Sequence, residues 1–344
     1  MKAAVIHQFG EPEVFRYEDV DTPEPGPGSL LLKVLAAGVN RFDHYIREGS
    51  IVPELPFPHI LGADAAGEVA AVGEGVTGFE VGERVIPMPS YPAKAEDAGI
   101  YPNSAAPSFT VTGLGTPGTY AQYLEVPARW VLHDETGLCP EKVATLPMVT
   151  ATSVRAVKVV GEVKPGDNVL VTAGSSGLGT FEIQVARALG ARVATTVRSP
   201  HKAEALRELG ADLVIHPGEE DLVEAVKTWT NGRGADVVID NAGGSVLQQA
   251  IHAARPQGII VAAGFLDGTQ VRFDIRDFFF AQKQLRGTLA GDITDLRWGL
   301  EQIKEGRIRA TLDRTLPLSN AAEAHRLVAS NAITGNVALL PWAA

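Results

Sequence analysis

Apolar residues recur along this chain in two rhythms. Up to about residue 87 they form short runs broken by Gly and Pro: Lys2–His7, Leu30–Gly38, Ala65–Val72 and Arg84–Ile86. Runs of this length, bounded by turn residues, predict strands, and several in succession predict a mostly-β unit that closes into a small barrel. Pro23–Gly28 is a turn, and VGEGVTGFEVGERV repeats turn, strand, turn. Asn40–Glu48 reads as a short helix lying across this unit. Between 87 and 118 Pro, Gly, Ser, Thr and Ala dominate and no periodicity is visible. A loop this long inside a compact domain is usually functional or mobile. Tyr120–Val126 resumes strand character, and Pro140–Val160 reads as helix and connector.

From Asn168 the rhythm changes. Asn168–Thr172 is a short buried strand, and Gly174, Gly177 and Gly179 follow in a tight turn. A helix then runs to Leu189, with Leu178, Phe181, Val185 and Leu189 at helical spacing. Gly190 stops it, and Arg192–Val197 is a second strand. Helices at Ala203–Leu209, Leu222–Trp229 and Val246–Ala254 then alternate with strands at Leu213–Ile215, Val237–Asp240 and Gly258–Gly264, and Gln284–Thr288 adds one more strand. Such alternation specifies an α/β fold with a doubly wound parallel sheet. The tail carries helices at Leu296–Glu305 and Ala321–Ala329. The last strand, Asn336–Leu340, is expected to rejoin the N-terminal barrel.

Composition narrows the class. A chain of 344 residues has room for two ordinary domains. A hydrophobic content of 45% with 21% charged residues fits a soluble globular protein. The net charge of −11 argues against nucleic-acid or anionic-membrane partners. The single cysteine, Cys139, excludes an internal disulfide and any clustered-cysteine site, and fits a reducing, cytoplasmic setting. The N-terminus reads as a first strand rather than a signal peptide. No stretch approaches the ~20 apolar residues of a membrane helix.

The turn after Asn168–Thr172 carries the clearest chemistry. A strand, a Gly-rich turn, a helix and a second strand make a dinucleotide-binding unit, in which backbone N–H groups at the helix start approach a pyrophosphate. The candidate cradle is Gly174, Ser175, Ser176, Gly177, Leu178 and Gly179. A full G-x-G-x-x-G would place glycine at 176, where this chain has Ser. At the end of the second strand an NAD site usually has Asp or Glu for the ribose 2′-OH. Here the residues are Thr196, Val197, Arg198 and Ser199, with Lys202 one turn on. A guanidinium, a hydroxyl and an ammonium suit a 2′-phosphate, so NADPH is expected over NADH. The plainer alternatives are a βαβ unit without ligand and basic residues on a solvated loop.

Many segments in order carry a wider resemblance: AAGVNRFDHYIREG, PHILGADAAGEVAAVG, GTYAQYLEVPA, TAGSSGLGTFEIQVARALGA and RGADVVIDNAGG. Almost the whole chain resembles the medium-chain dehydrogenase/reductase superfamily, in its zinc-free quinone oxidoreductase and enoyl reductase branch. The resemblance implies a GroES-like β-barrel catalytic domain from 1–128 and 289–344 around a Rossmann NADP-binding domain at 129–288. It also implies a cleft between them for the nicotinamide, and a homodimer. Alcohol dehydrogenases of the superfamily bind catalytic zinc through Cys, His (followed by Glu) and Cys. Those positions match Asn40, Ala63-Asp64 and Met148. Tetrahedral zinc wants thiolate and imidazole there, so no metal ligands are expected. The hydroxyl that relays the alcohol proton corresponds to Phe42. Relatives carry a four-cysteine lobe where this chain has the 87–118 loop, which reads as a lid over the substrate or as a surface or dimer-contact loop.

The resemblance also distributes roles. Thr152 corresponds to a Thr beside the nicotinamide, and Asn241, Gly264 and Phe265 follow strands at their carboxyl ends, where α/β sheets bind ligands. Asn336 stands where many relatives have Lys, which weakens a phosphate contact there. Asn40 and Tyr45 are the catalytic candidates, as hydrogen-bond partners of a carbonyl or enolate. Asp43 reads as a supporting structural group. His44 and His59 are open to substrate-contact or structural roles, and Cys139 is not expected to be a nucleophile. The implied activity is hydride transfer from NADPH to a quinone or α,β-unsaturated carbonyl. Two alternatives stay open: an alcohol or aldehyde dehydrogenase with atypical metal ligands, and a non-enzymatic NADPH-binding protein of the crystallin or sensor kind.

Overall fold

The computed structural model describes residues 1–330 and 332–343. The chain divides into two compact units, Met1–Val149 with Gly291–Lys304 and Ala310–Ala344, and Thr150–Ala290 with Glu305–Arg309. In chain order the first unit contains β1 (Lys2–Ile6), β2 (Phe15–Asp19), β3 (Ser29–Val39), α1 (Arg41–Glu48), β4 (His59–Ile60), β5 (Asp64–Val72), β6 (Arg84–Pro87), β7 (Ser90–Pro92), β8 (Phe109–Val111), β9 (Tyr123–Pro127), β10 (Val131–His133) and α2 (Pro140–Val143). After α3 (Pro147–Val154) comes the second unit, with β11 (Asn168–Val171), α4 (Gly177–Ala188), β12 (Arg192–Thr196), α5 (Ala203–Glu208), β13 (Leu213–Ile215), α6 (Leu222–Trp229), β14 (Ala235–Asp240), α7 (Gly244–Ala253), β15 (Ala254–Ala262), α8 (Ile275–Phe280) and β16 (Gln284–Gly287). The chain returns to the first unit with α9 (Ile293–Lys304), β17 (Leu312–Pro317), α10 (Ala321–Ser330) and β18 (Asn336–Leu340).

Strand β3 is the spine of the first unit. It pairs antiparallel with β5, β9 and β18, in a seven-stranded sheet ordered β10-β6-β5-β3-β18-β17 with β9 also on β3. The last predicted strand thus rejoins the N-terminal β unit. A separate three-stranded sheet, β2-β1-β4, completes the strands around the core. Ile6, Val34, Ile46, Leu61, Tyr120, Val337 and Leu339 fill that core. Helix α2 sits directly on β3. A Cβ at Gly38 would lie 2.2 Å from the Ala144 carbonyl oxygen, so glycine there lets the helix end touch the strand. Pro140–Val143 thus lies with the first unit.

In the second unit six parallel strands run in the order β13-β12-β11-β14-β15-β16. The order reverses between β11 and β14, where open α/β sheets hold ligands beyond the strand carboxyl ends. All four residues of β11 are buried, as expected for a parallel strand covered on both faces. Leu170, Ala194, Val238 and Ile260 form the middle of this core.

Several parts of the chain differ from the pattern reading, among them β2, β10, α8 and the three that follow. Residues 87–118 contain the β7–β8 ribbon, two short helical turns and fixed side chains. Asp97 accepts from the Ser108 hydroxyl at 2.5 Å, and Asp292 accepts from the Asn103 N–H at 2.9 Å. Polar composition hid this order, because side chain-to-backbone bonds rather than an apolar face hold it. Strand β17 was missed because its LDRTLP pattern carries two charges at the sheet edge. The connector after Pro140 is helical almost throughout and ends in a π-helical stretch over Arg155–Val160.

Candidate functional site

The turn between β11 and α4 is shaped by close approach. A Cβ at Gly174 would lie 2.0 Å from Thr195 Oγ1, and one at Gly179 would lie 2.5 Å from the Ala173 carbonyl oxygen. Glycine at both positions lets the first helical turn press against the strand end. Ser176 takes the place of the middle glycine and has a structural role. Its hydroxyl donates to the Ala173 carbonyl at 2.9 Å and accepts from the Gly179 N–H at 3.0 Å. It is therefore the N-cap of α4. Gly177 and Leu178 lie within the same first turn, whose N–H groups have no intrahelical acceptor, which is the arrangement that binds a pyrophosphate. Ser175, Ser176, Gly177 and Leu178 are all partly accessible. At the end of β12, Arg198 is exposed, Ser199 is half-buried and Lys202 is buried. Arg198 is thus the most accessible of the three groups expected at a 2′-phosphate.

Beside this turn, at the carboxyl ends of β11 and β14, lies a buried polar network. Thr172 Oγ1 donates to Asp240 Oδ1 at 2.8 Å and accepts from the Asn241 N–H at 2.9 Å. Asp240 Oδ2 accepts from the Gly243 N–H at 2.7 Å. Asn241 Nδ2 donates to the Thr172 carbonyl at 3.2 Å and to Glu182 Oε2 at 2.5 Å. Asn241 Oδ1 is buried without a partner among the described residues, which fits a site with an acceptor still to be satisfied. Burial pushes the Glu182 carboxyl up to about 8, the Asn241 bond opposing it, and pushes Asp240 up to about 6. Glu182 was not singled out in the sequence. The available signal was a lone acid between Phe181 and Ile183 in a helix whose residues 179–186 are all buried. Gly264 packs so closely that its Cβ would lie 2.5 Å from the Asn241 carbonyl oxygen. Phe265 is 44% exposed at the same strand end, and Thr152 is half-buried on α3.

The first unit holds a second buried constellation. Asn40 is the N-cap residue of α1, and its N–H donates to Asp43 Oδ2 at 2.8 Å. Its side-chain Nδ2 donates to Asp64 Oδ2 at 2.9 Å, while Asp64 Oδ1 accepts from the Met148 N–H at 2.8 Å. Both oxygens of Asp64 are thereby engaged. Burial pushes Asp64 up to about 8 and Asp43 up to about 7, against the hydrogen bonds that each accepts. The Tyr120 hydroxyl donates to Asp43 Oδ2 at 3.1 Å and lies 3.3 Å from His325 Nε2. With its one proton directed to Asp43, the phenol oxygen accepts from a His325 Nε2–H. His325 is fully buried, which holds it well below the ordinary histidine range.

The remaining candidates divide between site and scaffold. Tyr45 is half-buried on α1, raised by burial with Arg41 beside it. His44 accepts from Arg47 Nη2 at 2.8 Å through Nδ1 and faces Glu48 through Nε2 at 3.2 Å. His59 is buried against the Gly113 carbonyl at 3.1 Å. Phe42 packs on the apolar core. Cys139 is exposed at the start of α2. Asn336 is buried, and its N–H donates to the Thr311 carbonyl at 2.8 Å. Among the described residues no group of three or more His, Cys, Asp or Glu has metal-holding geometry.

A glycine-shaped helix start on a parallel sheet of order 3-2-1-4-5-6 is the architecture of a dinucleotide-binding unit. Family models described as "Alcohol dehydrogenase GroES-like domain" and "Zinc-binding dehydrogenase" match residues 26–136 and 177–305. A 2-haloacrylate reductase from Burkholderia sp is 32% identical, with 99% of each chain covered. A quinone oxidoreductase from Pseudomonas aeruginosa is 29% identical, with 97% of each covered. A solved structure described as an NAD-dependent alcohol dehydrogenase superposes with a TM-score of 0.95 at 34% identity over 99% of both chains. The chain belongs to the medium-chain dehydrogenase/reductase superfamily, in its quinone oxidoreductase and enoyl reductase branch.

Proposed function

We propose that the protein transfers a hydride from NADPH to a quinone or α,β-unsaturated carbonyl, without zinc. The observation that carries this reading is the state of the three positions where zinc-type relatives hold their metal. Asn40 and Met148 offer neither thiolate nor imidazole, Ala63 offers nothing, and both Asp64 oxygens are engaged by Asn40 and Met148. Without a Lewis acid, a simple ketone lacks stabilisation for its developing alkoxide, whereas conjugation spreads the incoming charge. The likeness to a 2-haloacrylate reductase and to a quinone oxidoreductase supports the same acceptor class.

In this reading NADPH supplies the hydride. Gly177 and Leu178 N–H groups hold its pyrophosphate, and Arg198 and Ser199, with Lys202, hold its 2′-phosphate. Thr152, Asn241, Gly264 and Phe265 bound the nicotinamide half. Asn40 and Tyr45 hydrogen-bond the acceptor's carbonyl oxygen, and Tyr45 or water delivers the proton. Orientation contributes most of the acceleration. A second copy of the chain covers Ile275, Phe279, Phe280 and Leu289, which are 62–75% exposed next to the edge strand β16. The reading is completed by a cytoplasmic location, in line with the lone cysteine; no helix among the described residues is long and apolar enough to cross a membrane.

The 34% identity to an NAD-dependent alcohol dehydrogenase favours a second reading, an NADH-linked alcohol or aldehyde dehydrogenase. One assay separates them. NADPH and NADH oxidation is followed against quinones, enones, enoyl thioesters and aldehydes, with and without a chelator. Chelator-insensitive turnover of quinones or enones with NADPH supports the first reading. Turnover of saturated alcohols or aldehydes that needs added zinc overturns it.

A further inference from the structure

Glu182 is the sole acid of α4, the helix that follows the dinucleotide turn, and it is fully buried. Surface acids on such a helix face water; this one faces the network behind the turn. Glu182 Oε2 accepts from Asn241 Nδ2 at 2.5 Å, and Oε1 has no partner among the described residues. Asn241 Nδ2 also donates to the Thr172 carbonyl at 3.2 Å. Both N–H groups of the amide are therefore committed to the protein. The group left over is Oδ1, buried and without a partner among the described residues. A side-chain amide turned by half a rotation would instead offer two donors. Glu182 Oε2 and the Thr172 carbonyl are the two contacts that decide between them, because each accepts from NH2 and repels a carbonyl oxygen.

We propose that Glu182 is a positioning residue for nucleotide binding: it holds the Asn241 amide by its NH2 group, so that Oδ1 is offered to the cofactor as a hydrogen-bond acceptor. The matching ligand group is a donor, a ribose hydroxyl or the nicotinamide carboxamide N–H. The inference rests on reading the second unit as a nicotinamide-dinucleotide site. The rest of the network makes Asn241 a fixed platform. Its backbone N–H is held by Thr172, Thr172 is held by Asp240, and Gly264 presses on its carbonyl. Asp240 is also the charged neighbour that acts on Glu182, and its negative charge disfavours a second one there. An uncharged acid fills the role when its proton sits on Oε1, leaving Oε2 to accept from Nδ2.

The test is a fluorescence titration of the full chain with NADPH, with thermal unfolding of each variant measured without nucleotide. Glu182→Gln keeps an amide-accepting oxygen and is expected to bind NADPH within about twofold of the unsubstituted protein. Glu182→Leu and the less branched Glu182→Met remove it and are expected to weaken NADPH binding about tenfold, the scale of one misdirected hydrogen bond. Asn241→Ala is expected to weaken binding similarly, and Glu182→Leu added to Asn241→Ala to do no further harm. The maximal rate at saturating NADPH should change much less than the dissociation constant. Folded Leu or Met variants that bind NADPH as tightly as the Gln variant, or additive losses in the double variant, overturn the proposal and leave the nucleotide site standing. If the unsubstituted protein binds neither NADPH nor NADH, the nucleotide reading falls and this proposal falls with it.

Discussion

The Asn40 side-chain amide donates to Asp64 across 2.9 Å, joining the start of α1 to the start of β5 inside the first unit. Asn40→Ala leaves Asp64 Oδ2 buried and unpaired, which costs about 1–3 kcal/mol of stability. Urea unfolding at pH 7 should show that loss. Under the proposed function the same variant lowers kcat/KM for an enone by about tenfold or more, with NADPH affinity retained. A full-rate Asn40→Ala enzyme would remove Asn40 from the catalytic set.

The buried acids make stability depend on pH. Burial raises Asp43 to about 7, Asp64 and Glu182 to about 8, and Asp240 to about 6. In the unfolded chain these groups ionise in the ordinary range near 4. Between about 4 and 8 the folded state therefore binds more protons than the unfolded one. Their contribution is fully present below pH ~4 and is lost as pH rises to ~8, by up to ~1.4 kcal/mol per group per pH unit. Thermal unfolding from pH 5 to 9 should show a falling midpoint. Glu182→Gln should flatten part of that fall and gain on the parent protein as pH rises. A parallel pair of curves would count against a raised Glu182.

Ser176 gives a test of the turn. Ser176→Ala removes the cap of α4 and is expected to cost about 1 kcal/mol, whereas Ser176→Gly should cost only a few tenths. Gly179→Ala should cost more than either, because its Cβ would sit 2.5 Å from the Ala173 carbonyl oxygen. Denaturant midpoints of the three variants order these effects.

Arg198 sets cofactor choice in the proposed function. Arg198→Ala should raise the dissociation constant for NADPH about tenfold and leave NADH nearly unchanged, because only the 2′-phosphate loses a partner. Equal effects on both nucleotides would place Arg198 elsewhere than at the 2′-phosphate.

The exposed aromatic pair on α8 addresses assembly. Under the proposed assembly the unsubstituted chain sediments as a homodimer, and Phe279→Asp with Phe280→Asp should give monomers in sedimentation velocity while the fold, measured by circular dichroism, is kept. Both rings lie more than 60% exposed, so neither supports the core of its own unit.

What the sequence revealed follows from which forces leave a linear trace. Gly174, Gly179 and the alternation from Leu213 to Ala262 were legible because close approach and parallel strands impose strict local patterns. Helix α6 was read to the residue, since Leu222 and Val226 repeat on its buried face. The supports were not legible. The Asn40–Asp64 bond joins residues in different elements, and Glu182, in the sequence a lone acid between Phe181 and Ile183, gains its partner Asn241 only in the fold. The 87–118 stretch left no trace because Asp97 and Asp292 organise it through a few side-chain hydrogen bonds. Lys202 reads in the sequence as part of a 2′-phosphate site, and its burial in the fold has no local signature.

The pairing of β18 with β3 has a consequence for synthesis. The second unit is nearly continuous in the chain, whereas the first waits for its final strand. On the ribosome, the edge of β3 at Ala37–Val39 stays open until the intervening second unit and β18 have followed. The nucleotide-binding unit is thus free to fold while the other still has one flank of β3 unpaired.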